Sequence, residues 1–429
     1  MNYNEVVRHI ESTLRFGLRP GLERTAKLLE LLGNPHRRIK FVHVAGTNGK
    51  GSTTSMITNI LAQAGYRAGM YISPHLYRNT ERMSINYEEI SEEDFTYYAL
   101  RVIETIEYMK KNKLEEPTQF EMLTAMAFLY FEAKKVDIAV IEVGLGGEYD
   151  ATNVIDAEVA AITSISYDHM DILGDTIEAI AGEKAGIIKK NSTVVLYPQR
   201  FDAAARIVED KCLKQNAKLI KVTENHIKPI ASDANGHVFD YCSEYICLKE
   251  LKLPLLGEHQ LKNAAVVIEV AAQLREMGYI IKGEHIRRGL ETAKWPCRLS
   301  VVSQKPLILI DGAHNDDGVD SLKAALIKYF GDKRIIFVFG MLKDKNYDYA
   351  IKQLMPLADK VMATQPVSPR AMTAQEMAEH IKPYCSEVYY DENIVGAVEK
   401  AKELCGDDGM LCVCGSLYLA GSVYEHLTK

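Results

Sequence analysis

The chain has 429 residues, of which 47% are hydrophobic and 25% are charged, so it is long enough for two or three domains with buried cores. This composition excludes collagen-like, low-complexity and disordered chains. The formal net charge is -7 and no basic run or tail occurs, so we expect no nucleic-acid partner and expect local cations to hold any anionic substrate.

The N-terminal residues mix acidic and polar side chains, which is not the pattern of a signal or transit peptide. No apolar run of the sequence approaches the ~18 residues of a membrane span. We therefore expect a cytoplasmic protein without a membrane partner.

Residues 41–72 predict a strand, a glycine-rich loop, a helix and a second strand. The apolar run 41–45 precedes the loop GTNGKGS, and apolar residues then recur at helical spacing from Met56 to Ala64. In this context backbone N–H groups and a helix N-terminus point at phosphates. The spacing differs from GxxxxGK[ST], and a plain glycine turn is the alternative. The strand, the hydroxyls and Lys50, which would offset phosphate charge, favour a phosphate-binding loop.

Strands and helices alternate along most of the remaining chain. Helical spacing predicts, for example, a helix over 119–134, whereas 200–255 is more polar and less regular. The further apolar strands are predicted at 137–143, 159–165, 193–196, 306–310, 334–339, 359–363 and 410–414. This alternation is typical of mainly parallel sheets covered by helices on both faces.

The predicted fold is therefore α/β with two domains. A mainly parallel sheet P-loop-type ATPase domain is expected over residues 1–294, and a smaller Rossmann-like α/β domain over residues 299–429. The segment Trp295-Pro296-Cys297-Arg298 between them is the expected hinge. Small and charged residues follow the strands of the second domain, at the edge where open α/β sheets bind ligands.

An acid and a histidine follow two strands of the first domain. Glu142 lies near the end of a buried strand, where a carboxylate is costly unless it is paired or metal-bound. Magnesium beside nucleotide phosphates would be such a partner, and hydrogen bonds to loop amides are the alternative. Asp168 and His169 follow the next strand, where His169 is either a structural residue or a ligand of metal or phosphate.

Lys184 is predicted to point inward. In a helix over 176–188, started by a capping-box-like pair of Asp175 and Glu178, Lys184 shares a stripe with Ile177 and other apolar residues. An inward lysine snorkels to water, pairs with an acid, binds phosphate or, if its pKa falls, reacts with carbon dioxide to form a carbamate. The residue pattern alone leaves these alternatives open.

The eight cysteines, all from residue 212 onward, form no CxxC pair and no Cys/His ladder. They therefore predict neither a zinc site nor disulfides. Cys412 and Cys414 alternate in an apolar strand and are expected to pack as small hydrophobic residues.

Together these motifs resemble the folylpolyglutamate synthase and dihydrofolate synthase family, a branch of the Mur-ligase-like ATP-dependent amide ligases. The resemblance runs through nearly the whole chain, in order and in spacing. It rests on GTNGKGS (46–52), SPHL followed by Glu81-Arg82, TQFEMLTAMAF (118–128), EVGLGGEYDATN (142–153), ITSISYDHMDILGDTIEAIAGEKAGIIK (162–189), GEHQLKNAA (257–265), WPCR (295–298), DGAHN (311–315) and GSLYLAG (415–421).

The resemblance implies a nucleotide site and a metal site. The residues that would hold ATP are Asn48, Gly49, Lys50, Gly51 and Ser52 at the phosphates, with Asn263, Arg298, Asp311 and His314 as further nucleotide contacts. The residues that would bind Mg²⁺ are Ser73, Glu142 and His169. Lys184, as a carbamate, would reach a second Mg²⁺. Lys50, Lys184 and His169 are the expected catalytic residues.

The resemblance also implies where the acceptor binds. The pterin-bearing substrate would lie near Arg82, Thr118, Phe120, Glu121, Tyr149, Asp150 and Ala151. Phe120 would offer an aromatic face, and neutralising Arg82 should raise the KM for folate or glutamate more than that for ATP. The sequence departs from the family at Glu148, where many members have Arg, and at Cys297, where Gly is usual. The first departure bears on acceptor specificity and the second only on the linker.

The implied reaction joins glutamate to a carboxylate. ATP would phosphorylate the carboxylate to an acyl phosphate, and the glutamate amine would expel phosphate, with water excluded by closure of two domains. The expected partners of a monomeric chain are ATP, L-glutamate and folate or dihydropteroate. A Mur-type peptidoglycan-precursor ligase is the second interpretation, and a nucleotide-gated binding module without catalysis is the third. The sequence leaves open which acceptor is used.

Overall fold

The computed structural model describes residues 1–13 and 21–428. Strands and helices alternate along most of this length. The strands are β1 (Lys40–Ala45), β2 (Ala68–Tyr71), β3 (Met83–Ile85), β4 (Glu88–Glu89), β5 (Ile138–Glu142), β6 (Val159–Ile162), β7 (Thr193–Leu196), β8 (Lys218–Lys221), β9 (Ile227–Asp233), β10 (Gly236–Cys242), β11 (Cys247–Leu253), β12 (Ser300–Gln304), β13 (Leu307–Ile310), β14 (Ile335–Phe339), β15 (Ala358–Ala363), β16 (Val388–Tyr390) and β17 (Met410–Cys414).

The α-helices connect these strands. They are α1 (Tyr3–Ser12), α2 (Glu23–Leu31), α3 (Lys50–Gln63), α4 (Glu92–Lys111), α5 (Gln119–Ala133), α6 (Met170–Leu173), α7 (Ile177–Ala185), α8 (Asp202–Gln215), α9 (Glu258–Glu276), α10 (Gly283–Glu291), α11 (Asp316–Phe330), α12 (Tyr347–Leu354), α13 (Ala374–Ile381), α14 (Ile394–Cys405) and α15 (Leu417–Thr428). Within the described ranges, no helix is long and apolar enough to cross a membrane.

The first sheet has eight strands in the described residues, in the order β4-β3-β2-β5-β1-β6-β7-β8. All run parallel from β2 to β8 in this order, whereas β3 and β4 pair antiparallel at one edge. The central strands are buried along almost their whole length, which explains why they read as continuous apolar runs. Val44 pairs with Glu142 and Ala45 with Ile162, so the carboxyl ends of β1, β5 and β6 lie side by side.

The second sheet, in the part of the chain that is described, has the order β12-β13-β17-β14-β15-β16. β12 is antiparallel and the other pairs are parallel. Cys412 and Cys414 lie fully buried in its core with Phe337 and Phe339, so their predicted packing as small hydrophobic residues is confirmed. The predicted α/β fold class is likewise confirmed.

The chain forms two compact units, and the second is discontinuous. The first comprises Met1–Lys228, Phe239–Leu251 and Lys262–Ala293. The second comprises Pro229–Val238, Lys252–Leu261 and Lys294–Lys429. The predicted hinge at residues 295–298 falls at the start of the last segment, and its role as a hinge stays a prediction.

Three expectations about local structure are wrong. The polar stretch 200–255 is regular: it forms α8, β8 and a three-stranded sheet in the order β11-β10-β9. The helix that carries Lys184 spans only Ile177–Ala185 and is capped by Thr176, whose side chain accepts a hydrogen bond from the Ala179 N–H. A disulfide joins Cys242 and Cys247, because neighbouring strands β10 and β11 end and begin at these residues.

Candidate active site

The glycine-rich loop occupies the turn between β1 and α3. Gly49 caps α3 with φ of 84°, a left-handed conformation that favours glycine. A Cβ at Gly49 would lie 2.6 Å from Oδ1 of Asn263, so the Asn263 side chain of α9 lies against the loop. Gly51 and Ser52 follow in the first turn of α3, and backbone N–H groups in the first turn of a helix can face an anion.

The loop is held in place by the segment that follows β6. The Thr47 N–H donates to the Ser164 carbonyl at 2.7 Å, and Asn48 forms a β-bridge with Ser164. The Thr47 hydroxyl donates to the Ser166 carbonyl and accepts from the Ser166 N–H, both at 3.1 Å. The loop is therefore shaped by its own protein contacts.

Lys50 folds back over this loop. Its Nζ donates to the carbonyl oxygens of Gly46 and Thr47, both at 3.1 Å. A cation held here lies beside the N-terminus of α3, which is where the terminal phosphates of a bound nucleotide would add negative charge.

Lys184 reaches the same loop from α7. The side chain is 4% exposed, and its Nζ donates to the Gly46 carbonyl at 2.9 Å, so the predicted inward direction is confirmed. Burial, together with the positive charge of Lys50, lowers the pKa of Lys184 to about 7. Nearby acids, including Asp168, oppose this shift. A substantial fraction of this amine is therefore neutral near pH 7.

Glu142 and Ser73 meet at the carboxyl end of the sheet. Glu142 is the last residue of β5 and is 5% exposed, and its Oε2 accepts from the Ser73 N–H at 3.1 Å. Hydrogen bonding to a loop amide, the alternative weighed for this acid, is thus present. It leaves the carboxylate at a polar sheet edge beside a hydroxyl-bearing residue.

His169 stands at the start of α6 with a side chain that is 43% exposed. Its backbone N–H donates to Asp168 Oδ1 at 3.0 Å, and its Nε2 lies 3.9 Å from the same oxygen. Within residues 1–13 and 21–428, no three His, Cys, Asp or Glu side chains form a group that could hold a metal ion. The predicted ligand set contains only two such residues, His169 and Glu142, and it stays a prediction.

The turn after Glu142 is built around Asp150. Its Oδ2 accepts from the Leu145 N–H at 2.9 Å, and its Oδ1 accepts from the N–H and hydroxyl of Thr152 at 3.0 and 2.5 Å. Burial raises the pKa of Asp150, and these hydrogen bonds oppose the rise. Tyr149 is 52% exposed beside it, whereas Ala151 is buried.

Phe120 covers one side of this turn. A Cβ at Gly144 would lie 2.5 Å from the Phe120 ring, so the glycine allows the ring to lie directly on the backbone. The ring centroid is 6.1 Å from that of Tyr71. The half-buried ring thus offers an apolar surface beside this turn, and its contact with a pterin stays a prediction.

Glu121 and Thr118 organise the start of α5. The Thr118 hydroxyl caps the Glu121 N–H at 3.3 Å, and the Glu121 carboxylate accepts from the Thr118 N–H at 2.7 Å. Arg24 donates to both carboxylate oxygens, at 2.8 and 3.3 Å. These bonds position Phe120, which lies between the two capping residues, and a direct contact of Glu121 with substrate stays a prediction.

Arg82 is oriented by a histidine that sequence reasoning did not single out. Arg82 Nε donates to His75 Nδ1 at 2.9 Å. Burial, helped by the Arg82 charge, lowers the pKa of His75 to about 3, so this histidine is neutral. His75 belongs to the SPHL motif, and this motif is the sequence signal from which its role could have been predicted.

The predicted nucleotide contacts of the second unit surround a buried carboxylate. Asp311 accepts from the Leu299 and Ala313 N–H groups, both at 2.8 Å. Burial raises the pKa of Asp311, and the charge of Arg298 opposes the rise. His314 Nδ1 lies 2.8 Å from the Gly312 carbonyl. Their nucleotide role stays a prediction.

The two departures from the family pattern have defined surroundings in the structure. The Glu148 N–H donates to the Glu183 carbonyl at 2.9 Å, and its carboxylate lies 3.9 Å from Lys211 Nζ. Burial and the Glu148 charge raise the pKa of Glu183. Cys297 is buried with φ of 58°, a conformation that glycine adopts more readily.

Comparison with known proteins assigns the chain to a family. The Mur ligase middle domain matches residues 44–271, and the Mur ligase glutamate ligase domain matches residues 297–417. A dihydrofolate synthase/folylpolyglutamate synthase of Bacillus subtilis is 36% identical over 440 residues, covering 99% of this chain and 99% of that protein. The chain belongs to the folylpolyglutamate and dihydrofolate synthase branch of the Mur ligases.

Two further similarities extend over the same length. A folylpolyglutamate synthase of Lacticaseibacillus casei is 34% identical over 431 residues, covering 100% of this chain and 99% of that protein. The crystal structure of Mycobacterium tuberculosis folylpolyglutamate synthase with ADP and AMPPCP has a TM-score of 0.91 and 31% identity, covering 100% of this chain and 99% of that one. The predicted family and the class of ATP-dependent ligase are confirmed.

Proposed function

We propose that this chain uses ATP to add L-glutamate to a folate, to dihydropteroate or to both, through an acyl phosphate. The observation that carries the proposal is the meeting of three features at the carboxyl ends of β1, β5 and β6. These are the phosphate loop with Lys50 and Lys184, the buried acid Glu142, and the Asp150 turn beneath Phe120. Ligands of open α/β sheets bind at this edge.

The loop Asn48 to Ser52 would bind the nucleotide phosphates. Backbone N–H groups at the start of α3 would face the phosphate oxygens, and Lys50 would release its contacts with loop carbonyls to meet them. Asn263, which lies against Gly49, would fix the loop from the opposite side.

Ser73 and Glu142, which are hydrogen-bonded to each other, supply the oxygen ligands that Mg²⁺ prefers, and His169 would add an imidazole. When bound, Mg²⁺ would offset negative charge that develops during phosphoryl transfer. The amine of Lys184 is a poor ligand for Mg²⁺, which prefers oxygen, and its lowered pKa makes the neutral amine available for addition to carbon dioxide. The resulting carbamate would bind a second Mg²⁺.

The proposed reaction has two steps. The substrate carboxylate attacks the γ-phosphorus of ATP, so that an acyl phosphate and ADP form. The amine of L-glutamate attacks the acyl carbon, an amide bond forms, inorganic phosphate leaves and the amine loses a proton. Lys50 would stabilise the transferring group electrostatically, and alignment of the amine at the acyl phosphate would favour amide formation over hydrolysis.

The acceptor would lie over the Asp150 turn. Phe120 would pack against the pterin ring, while the Asp150 carboxyl group would accept hydrogen bonds from pterin N–H groups. Arg82, held by His75, would attract a carboxylate of the folate or of glutamate.

The proposal is tested by phosphate release from purified protein with ATP and Mg²⁺. Release should require glutamate together with dihydropteroate or tetrahydrofolate, measured in parallel assays. Release that requires a UDP-sugar acceptor instead would identify a cell-wall precursor ligase. Nucleotide binding without release under any of these conditions would favour a binding module and overturn the proposal.

A further inference from the structure

A histidine inside the central strand is linked to Asp150 through two successive hydrogen bonds. His43 lies on β1 and is 1% exposed. Its Nε2 is 2.9 Å from the Thr152 hydroxyl, which in turn donates to Asp150 Oδ1 at 2.5 Å. A polar side chain at the centre of an apolar sheet is costly unless it is hydrogen-bonded. The contact with Thr152 supplies that hydrogen bond for His43.

The hydrogen bonds from His43 through Thr152 to Asp150 have one consistent arrangement of donors and acceptors. Asp150 receives the Thr152 hydroxyl proton and backbone N–H groups from Leu145 and Thr152, a set of donors that suits the ionised carboxylate. Since the single hydroxyl proton of Thr152 points to Asp150, the Thr152 oxygen accepts from His43. His43 therefore carries its proton on Nε2.

The charge state of His43 agrees with this arrangement. Burial, with the nearby charge of Lys189, lowers the pKa of His43 to about 3. The ring is thus neutral and has one N–H to give. It can direct the Thr152 hydroxyl without adding a charge beside Asp150.

The chain of bonds links two parts of the candidate site. β1, which carries His43, ends at Ala45 immediately before the phosphate loop. The other end of the chain of bonds, Asp150, holds the turn that begins at Leu145. The side chain of one strand thus fixes the acceptor turn while its backbone leads into the nucleotide loop.

We infer that His43 is a positioning residue for the acceptor: its Nε2–H orients the Thr152 hydroxyl, which holds the Asp150 carboxylate in the geometry that binds the pterin. This inference rests on the proposed function, because it assigns Asp150 to the folate or dihydropteroate site. His43 itself touches no substrate.

The kinetic test compares variants that differ in this one hydrogen bond. His43→Leu and Thr152→Val each remove one link, whereas His43→Gln places an amide N–H near the original Nε2. The first two should raise the KM for the acceptor by about tenfold, the effect of losing a hydrogen bond that aligns a binding group, and leave the KM for ATP within about twofold. His43→Gln should recover most of the loss, and the double variant should be no worse than Thr152→Val alone.

The tautomer gives a readout that does not depend on turnover. Nitrogen-15 NMR of the ligand-free protein should show the His43 ring protonated at Nε2 and bare at Nδ1. An Nδ1–H tautomer would overturn the inference, as would additive effects in the double variant or equal changes in the KM for ATP and acceptor. If His43→Leu fails to fold, Thr152→Val and His43→Gln carry the same comparison.

The two proposals fail in different ways. Wild-type protein without folate-dependent or dihydropteroate-dependent turnover would overturn the proposed function, and with it the acceptor role of Asp150. Wild-type turnover with an unchanged acceptor KM in Thr152→Val would overturn only the role of His43.

Discussion

Lys184 Nζ lies 2.9 Å from the carbonyl oxygen of Gly46, so a buried amine touches the first residue of the phosphate loop. A lysine in this position is costly as an ammonium ion, because burial removes most of its water. The same burial that makes it costly makes its amine reactive near neutral pH.

The free energy of unfolding is expected to rise with pH above about 7 through this one group. The native pKa of Lys184 is lowered from 10.5 to about 7, so between these values the unfolded chain binds one more proton than the native chain. Stability should therefore rise by up to about 1.4 kcal/mol per pH unit in that window, with no contribution to the slope below it. Lys184→Met should lose this slope in urea titrations in carbon dioxide-free buffer. The exposed Lys190→Met is the matched control and should keep it.

A carbamate on Lys184 is expected to be visible directly. Protein equilibrated with carbon-13 bicarbonate should show a carbamate signal that is missing from Lys184→Met and present in Lys190→Met. Removal of dissolved carbon dioxide should lower activity by about tenfold or more, since it removes the proposed ligand of the second Mg²⁺, and bicarbonate should restore it. A signal that persists in Lys184→Met would place the modification elsewhere.

Gly49→Ala is expected to weaken ATP use more than an ordinary glycine replacement would. Its Cβ would enter the space of Asn263 Oδ1 and shift the phosphate loop, so the KM for ATP should rise by about tenfold or more. Gly65, also at positive φ but with open space around its Cβ position, is the matched control. Gly65→Ala should cost about 1 kcal/mol of stability and leave the KM for ATP unchanged. An equal rise in the KM for ATP in Gly65→Ala, where the added Cβ meets open space, would contradict a steric cause.

Arg24→Met is expected to destabilise the first unit by about 3 kcal/mol, because it leaves the Glu121 carboxylate without its cation. The two side chains are 12% and 7% exposed, so little water can replace the lost bonds. Lys27→Met removes an exposed partner of Glu30 from the same helix and should cost less than about 0.5 kcal/mol. Urea unfolding of both variants measures the difference, and equal losses would contradict a buried pairing.

The sequence predicted those parts of the site that obey a local pattern. Apolar runs gave the central strands, and the helical stripe gave the inward direction of Lys184. The start of the helix around Lys184 was misplaced because Thr176 and Asp175 both have cap-forming side chains, and only the backbone path selects Thr176.

Contacts between residues that lie far apart in the sequence leave no local pattern from which they could be predicted. Arg24 meets Glu121 across 97 positions, and His43 meets Thr152 across 109. Neither pair shares a helix face or a strand period, so the fold alone brings them together. The three-stranded sheet was missed for a related reason: its strands have many exposed residues and therefore read as irregular.

The second unit consists of three separate stretches of sequence, so cutting the chain at the predicted hinge would not separate the two units. A fragment that begins at residue 299 omits Leu256, which packs in the core of the six-stranded sheet, and Ser232, whose hydroxyl lies 3.2 Å from that of Tyr329. Such a fragment would expose apolar surface where those segments belong. Ancestral recombination or laboratory exchange of the second unit would therefore have to transfer three stretches of sequence together, and a crossover at the linker alone would yield mismatched cores.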